Sequence, residues 1–422
     1  FQESLSWSLV TSGGFSVRYY PNSFMFNVAG IACFPQKFLL YILGLLNTKI
    51  TSCITQILNP TINMNAGDVA KVPVVISCPH ELIICKYVSE SIDISKSDWD
   101  SFETSWDFQT HPFLAFKTDG FAEHAFDAWQ THAAEQFAQL KANEEELNRI
   151  FIDIYGLQDE LSPEEEDKDV TVRRADLARD VRSFVSYGVG CILGRYSLAT
   201  PGLAYAGGAW NASKYSTFMP DADNCVPITD EEYFSDDIVT RFAAFVSAAF
   251  GAETLEANLD FIARALGSKG ATPRAALRNY FLNDFFKDHC KIYQKRPIYW
   301  LFDSGKENSF KALFYLHRYN ADTVGNMRVE YLHPLQEKYE RRLEMEKQAA
   351  EKSPSARDKA IAKAAAEKLT RQIKEIKAYD QKISHLAAAR ISLDLDDGVK
   401  ANYEKLQTAK DAQNLEILAK IK

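Results

Sequence analysis

Apolar residues recur along this chain at helical spacing over long stretches, interrupted by short runs of strand character. From Phe38 to Leu58, the residues Leu39, Leu43, Leu46, Ile50, Ile54 and Leu58 predict one amphipathic helix. Asn59-Pro60 ends it, because proline lacks an N–H and restricts the residue before it. Further helical periods run from Phe121 to about Tyr155, Val172 to Leu193, Ile238 to Phe250 and Thr254 to Leu266. Thr272-Pro273 is a cap followed by a first-turn proline, opening a helix to about Tyr293. Pro163 followed by Glu164–Glu166 predicts one more helix start. Asp322 opens long helices rich in Ala, Glu, Lys, Leu and Arg, the first ending near Lys352 at Ser353-Pro354-Ser355 and the second covering Ala356–Ala389. Such a pair forms an antiparallel helical hairpin or coiled coil. Leu393–Lys422 carries an acidic turn and a last helix from about Val399.

Strand signals are shorter. Phe15–Tyr20 and Phe24–Val28 flank Pro21-Asn22-Ser23 and predict a hairpin, with an extended segment at Gly30–Pro35. Val69–Ile76 is strand-like, reduced by Pro73 to an edge or irregular strand. Residues 79–120 look loop-rich, with Trp99, Phe102, Trp106, Phe108 and Phe113 pinning polar loops to a surface, and Leu203–Pro227 looks irregular. The segment Lys291–Tyr319 combines a buried strand at Pro297–Asp303, a turn around Gly305 and a helix over Ser309–Tyr319 built on Phe310, Leu313, Phe314 and Leu316.

Charge sharpens this picture. Net charge is −9, yet residues 93–170 hold 20 acids against 5 bases and residues 269–342 hold 14 bases against 8 acids. Lys291, Lys295, Arg296, Lys306, Lys311 and Arg318 ring the apolar central segment, which suits either an ordinary core with a solvated edge or a grip on a polyanion. In the loop Asn59–Asn65, Asn59, Thr61, Asn63 and Asn65 are either turn formers or readers of adenine edges and phosphates. An apolar content of 46% and 422 residues suffice for two to four cores. The longest apolar run, Phe38–Leu46, is about half of the ~20 residues a membrane span needs. Seven scattered cysteines without a paired spacing predict free thiols and a cytoplasmic setting. The chain begins at Phe1 within patterned sequence, which predicts a piece starting inside a domain.

Motifs for catalysis are missing. Gly188–Gly194 (GVGCILG) departs from a dinucleotide fingerprint and sits in a helical pattern, so small residues at a helix contact are expected. Asp394–Gly398 has Lys405 where a calcium loop needs its bidentate acid, and Cys78, His80 and Cys85 fit no zinc spacing. None of the eight histidines stands in an HExxH pattern; His317 and His333 are expected to pack or hydrogen-bond. GxSxG and Walker motifs are also missing.

Five segments together resemble one family: Phe26–Pro35 (FNVAGIACFP), Leu45–Asp68, Ser91–His111, Lys295–Tyr319 and Leu393–Tyr403. They are similar to the C-terminal portion of the PglX family, the adenine-specific DNA methyltransferases of BREX phage-defence systems. The resemblance implies a target-recognition region and a helical C-terminus that follow an S-adenosylmethionine-dependent catalytic domain. It also implies methylation of adenine N6 after base flipping. The Asn/Asp-Pro-Pro-Tyr motif of that family does not occur here, the nearest string being Asn59-Pro60-Thr61, and its glycine-rich methyl-donor motif does not occur either. No catalytic or cofactor residue carries over.

The expectation is therefore an α+β fold, predominantly helical, in four regions. Residues 1–90 form the end of a target-recognition-like domain, 91–268 an acidic, aromatic, mainly helical region, 269–330 a basic strand–turn–helix unit and 331–422 the C-terminal helices. As a function, it points to a DNA-recognition and scaffold part, inactive alone. Its partners would be double-stranded DNA, the N-terminal methyltransferase domain and other BREX proteins, with no cofactor of its own and no membrane. The alternative is a protein-interaction module that docks the methyltransferase half or other BREX components.

Overall fold

The structure, a computed structural model, describes residues 2–408 and 414–421. In chain order it runs β1 (Ser4–Ser8), β2 (Arg18–Tyr20), β3 (Gly30–Cys33), α1 (Leu39–Leu46), α2 (Lys49–Leu58), α3 (Ala66–Val69), α4 (Glu81–Asp100), α5 (Pro112–Ala115) and α6 (Ala122–Tyr155). Then follow α7 (Leu177–Leu193), β4 (Val226–Ile228), α8 (Ile238–Phe250), α9 (Leu255–Leu266), α10 (Pro273–Asn283) and α11 (Phe285–Ile292). The remainder is β5 (Tyr299–Asp303), β6 (Lys311–Tyr315), α12 (Thr323–Met327), α13 (His333–Lys352), α14 (Ala356–Ala389) and α15 (Gly398–Gln407). Helices predominate, with two small three-stranded sheets among the described residues, so the fold is α+β as the periodicity predicts. No single described helix is long and apolar enough to cross a membrane. The chain divides into two units, Phe1–Asp100 with Gln130–Ala175, and Ser101–Trp129 with Asp176–Lys422.

In the first unit the sheet has the order β2-β1-β3, all antiparallel, with Leu5 opposite both Tyr19 and Cys33. The predicted hairpin of Phe15–Tyr20 with Phe24–Val28 therefore does not form; both partners of the sheet pair with β1, a strand the alternation did not reveal. Leu5, Trp7, Tyr41, Leu45, Ile50, Ile84, Val88 and Phe151 share one core. The single helix predicted from Phe38 is two helices. Asn47 ends α1 by donating its side-chain amide to Leu43 O at 3.0 Å, while its Oδ1 accepts from Val17 N at 2.8 Å. Within residues 79–120, expected to be loop-rich, Glu81–Asp100 forms α4, with Ile84, Val88 and Ile94 as its buried residues. Val69–Ile76 forms no strand, its carbonyls at Pro73 and Val75 accepting instead from Tyr155 and Tyr41 hydroxyls at 2.5 and 2.9 Å. The helix expected from Pro163 is likewise missing. That segment is strung along α6, with Asn148 Nδ2 donating to Pro163 O at 3.3 Å and Glu165 N donating to Glu145 Oε1 at 3.1 Å.

The second unit is built on the sheet β4-β6-β5, antiparallel throughout, with Tyr299 opposite Tyr315 and Asp303 opposite Lys311. Trp300, Phe302, Ala312 and Phe314 join a core with Leu335, Tyr339, Ile376 and Tyr379 of the C-terminal helices. The alternate residue Tyr299 stacks on His289 of α11 at 4.6 Å. Both faces of the hairpin are thus covered. This corrects the helix predicted over Ser309–Tyr319: β6 is buried at every position, and a strand covered on both faces shows a continuous apolar run without alternation. The free edge of β5 is taken up by the chain end, Asp303 N donating to Ile417 O at 3.0 Å and Ala419 N to Leu301 O at 2.9 Å.

Caps fix several helices of this unit. Asp176 accepts from Arg179 N at 2.7 Å and Thr272 from Ala275 N at 3.2 Å. Asp237, fully buried, caps α8 and also takes both arms of Arg278, at 2.7 and 2.8 Å. The helix expected to run to Tyr293 breaks at Asp284 into α10 and α11, and the one expected from Val172 begins at Leu177. The α13–α14 hairpin is antiparallel, as Arg328 and His333 near one end bond Asp380 at 2.6 and 3.0 Å. Gly188 and Gly190 lie inside α7 as expected, where an added Cβ would come within 2.8 Å of Phe245 and 2.5 Å of Tyr196.

Candidate nucleic-acid interface

The basic residues singled out around Lys291–Tyr319 do not share one role. Lys311 is buried at 7% exposure; its ammonium donates to Leu282 O at 2.8 Å and pairs with Asp303 at 3.5 Å. Arg318 gives its guanidinium to the carbonyls of Leu193, Asp221 and Ala222 at 3.1, 2.9 and 3.0 Å, and lies over the Trp210 ring at 4.7 Å. Both hold the fold together from inside. Lys306 is exposed in the β5–β6 turn. That turn is fastened by Glu375, whose carboxylate accepts from Glu307 N at 2.9 Å, Ser309 N at 3.2 Å and Ser304 Oγ at 2.7 Å. Lys291 is exposed and pairs with Asp288 at 3.8 Å.

Lys295 and Arg296 come together at the mouth of a cleft of about 1020 Å³. Helix α11 ends in a left-handed turn: Gln294 has φ 49° and Lys295 φ 63°. Lys295 N donates back to Cys290 O at 2.7 Å, Gln294 N to Lys291 O at 3.1 Å and Arg296 N to Tyr293 O at 2.8 Å. The cleft is also lined by Lys400, Tyr403 and Glu404 of α15 and by Glu416, Leu418, Lys420 and Ile421 near the chain end. Asp397 is neutralised by Lys405 at 2.5 Å and Glu416 by Lys420 at 3.6 Å. Among the described residues, Lys295, Arg296 and Lys400 have no carboxylate partner and Glu404 no cation partner, so three unpaired cations against one carboxylate leave the cleft with a modest excess of positive charge. Lys400 and Gln294 were not anticipated. A residue a hundred positions away leaves no local signal, and a positive φ at Gln or Lys is not written in the sequence.

The Asn59–Asn65 loop belongs to the first unit and the basic residues to the second. Asn59 and Thr61 are turned inward on the loop: Asn59 Nδ2 donates to Asp68 Oδ2 at 2.7 Å and Asn63 O at 2.6 Å, and its Oδ1 accepts from Thr61 Oγ1 at 2.6 Å. These bonds hold Asp68 below the usual carboxylate range, with Asn59 the largest cause. Asn63 and Asn65 are exposed, and the loop backbone is stapled to the strand region, Met64 N donating to Leu9 O at 2.7 Å and Trp7 Nε1 to Met64 O at 3.0 Å.

No protein-family model matches the chain. Among curated proteins it is 48% identical over 420 residues to the adenine-specific methyltransferase PglX of Lacticaseibacillus casei (strain Zhang), a match covering 96% of this chain and 34% of that protein. It is 36% identical over 437 residues to the adenine-specific methyltransferase BrxX of Escherichia coli O9:H4 (strain HS), covering 96% of this chain and 36% of that protein. The chain is homologous to a part of a PglX-type methyltransferase. The family resemblance drawn from FNVAGIACFP and the other segments is borne out, and the chain spans about a third of the length of these relatives. Lys295, Arg296 and Lys400 of the cleft and the Asn59–Asn65 loop lie within segments that carried the PglX resemblance.

Proposed function

We propose that this chain is a DNA-recognition and scaffold part of a BREX adenine-N6 methyltransferase, acting in the cytoplasm and contributing no methyl-transfer residues of its own. The observation that carries the proposal is the cleft at Lys295, Arg296 and Lys400, in a chain homologous almost throughout to adenine-specific methyltransferases. Three cations at one cleft are suited to phosphates, which hold a protein in register on a duplex. Lys291 and Lys306 extend the exposed positive surface, and Asn63 and Asn65 remain exposed for base or phosphate contact. The glycine pattern in α7 does not fit a methyl-donor site. The single glycine pattern, Gly188–Gly194, lies within and at the end of α7, packed against Phe242, Phe245, Tyr196 and Trp210. S-adenosylmethionine would then be held outside this chain. Lys295→Ala with Arg296→Ala is expected to weaken binding to every duplex and lower the salt slope by roughly one to two units. Fluorescence anisotropy of the 422-residue chain over a range of salt measures both, and unchanged binding would remove these residues from the interface.

A second reading, docking of the methyltransferase half or other BREX components, is favoured by apolar side chains left in the open on the first unit. Met25, Val28, Ile57 and Ile62 are 83, 80, 77 and 60% exposed. Co-purification with a separately expressed N-terminal half tests it; no association at micromolar concentration would count against it.

A further inference from the structure

The end of α11 breaks a rule that the same chain keeps elsewhere. A helix that closes in a left-handed turn ordinarily places glycine there, because a Cβ is crowded at positive φ. Helix α7 does so with Gly194 at φ 82° and α9 with Gly267 at φ 68°. Helix α14 uses Arg390 at φ 47°, and that arginine has a task, an ion pair with Asp322. Helix α11 uses two successive non-glycine residues, Gln294 and Lys295. Among the described residues neither side chain has a hydrogen-bond or ion-pair partner, and both are exposed at the cleft.

Strain of this kind persists only where the surroundings over-determine it. Here both flanks are anchored. His289 Nε2 accepts from Ile298 N and Tyr299 N, each at 3.1 Å, and its ring lies 4.8 Å from that of Tyr293. Trp300 Nε1 donates to Pro297 O at 3.0 Å. The left-handed turn bonds the last carbonyls of α11 through its backbone, which glycine would do at less cost, and it leaves an amide and two cations exposed at the cleft.

Resting on the DNA-binding reading above, we propose that Gln294–Lys295–Arg296 is the element that enters a DNA groove, Gln294 presenting its amide to a base edge while Lys295 and Arg296 hold the flanking phosphates. A glutamine amide sets a donor beside an acceptor and matches the N6 and N7 edge of adenine in the major groove. Lys400, which lines the same cleft, holds a further phosphate.

Two glycine variants of the 422-residue chain test this, because glycine relieves the left-handed strain and removes the side chain together. Gln294→Gly and Lys295→Gly are each expected to raise Tm by roughly 2–4 °C. Anisotropy against random-sequence duplex, and selection from a random duplex pool, separate their effects on DNA. Lys295→Gly should weaken binding to all duplexes and lower the salt slope by about one. Gln294→Gly should leave random-duplex affinity within about twofold and abolish selection for adenine at one position, a discrimination of roughly tenfold to a hundredfold. A higher Tm with unchanged affinity and unchanged selection would overturn the tip as the reading element while wild-type binding kept the DNA reading intact. A lower Tm in both variants would show that the side chains serve the fold and would also overturn it. Failure of the wild-type chain to bind duplex at low salt would remove both readings.

Discussion

Tyr299 and Tyr379 are both buried aromatic residues on the two sides of the same sheet, and their hydroxyls have opposite circumstances. Tyr379 donates to Ile417 O at 2.7 Å, tying α14 to the chain end beside β5. The Tyr299 hydroxyl is buried against α7 with no hydrogen-bond partner among the described residues. Removing the Tyr379 hydroxyl loses one buried hydrogen bond, although Ile417 O keeps its bond from Asp303 N, whereas removing the Tyr299 hydroxyl relieves a desolvated dipole. Tyr379→Phe is expected to cost about 0.5–1.5 kcal/mol and Tyr299→Phe to be neutral or stabilising by up to about 1 kcal/mol, as measured by urea denaturation. Nothing in YWLFD around Tyr299 or in KAYDQ around Tyr379 distinguishes the two cases. Sequence marks both residues as core aromatics, and only the neighbours decide which hydroxyl is satisfied.

The same contrast holds for elements. Thr272-Pro273 and Ser355 announce helix starts, and the structure uses them so, with Ser355 accepting from Asp358 N at 3.3 Å. The spacing of Leu369, Ile373, Ile376, Tyr379, Ile383 and Leu386 sets which face of α14 is buried, and all six are. Ile376 is fully buried in the core shared with Phe302 and Phe310, so Ile376→Ala is expected to destabilise the second unit by about 2–5 kcal/mol, read from the denaturation midpoint. Lys311–Tyr315 was illegible for a physical reason. Covered on one face by the C-terminal helices and on the other by the α7–α11 side, it lost the polar–apolar alternation that marks a strand. Helix α4 is faint for the opposite reason: its buried stripe is sparse, only Ile84, Val88 and Ile94 among many polar residues.

At the scale of the molecule, buried ionisable groups set the response to pH. Burial lowers His111 and His289 from 6.5 to about 3, so both stay neutral in the folded chain. The unfolded chain takes up those two protons below about pH 6.5, and stability falls as pH drops, by about 1.4 kcal/mol per pH unit for each. Asp221 is raised to about 7 by burial and by Asp223 beside it, and Glu144 is raised to about 7 by burial and by Glu165. Each of these raised acids keeps a proton that the unfolded chain releases, so their contribution falls as pH rises from about 4 to 7. The two slopes oppose one another between about pH 4.5 and 6.5. Below about 4.5 the raised acids are protonated in both states, and the histidines are joined by carboxylates held below their ordinary range, among them Asp68, Glu375 and Asp380, which also lose stability as pH falls. Equilibrium denaturation against pH should therefore fall more steeply beneath about pH 4.5 than above it. His289→Gln, whose side-chain oxygen can accept the Ile298 and Tyr299 N–H groups, should make that fall shallower by up to about 1.4 kcal/mol per pH unit; an unchanged slope would show that His289 does not contribute to it.

By itself the sequence determined the predominance of helix, the cap of α10, the break at Ser353-Pro354-Ser355 before α14, the antiparallel C-terminal hairpin, the placement of GVGCILG within a packed helix and the methyltransferase relationship. These rest on local periodicity, on cap chemistry or on strings of identical residues, all of which are written contiguously. The tertiary structure decided the rest. It paired β1 with both β2 and β3, closed the edge of β5 with residues 417–419, turned Lys311 and Arg318 inward, and brought Lys400 into one cleft with a left-handed tip at Gln294 and Lys295. Each of these depends on which surface a residue meets after the chain has folded back over tens to hundreds of positions. Charge can be counted along a sequence, but whether a cation faces a carbonyl or solvent is fixed only when that packing is complete.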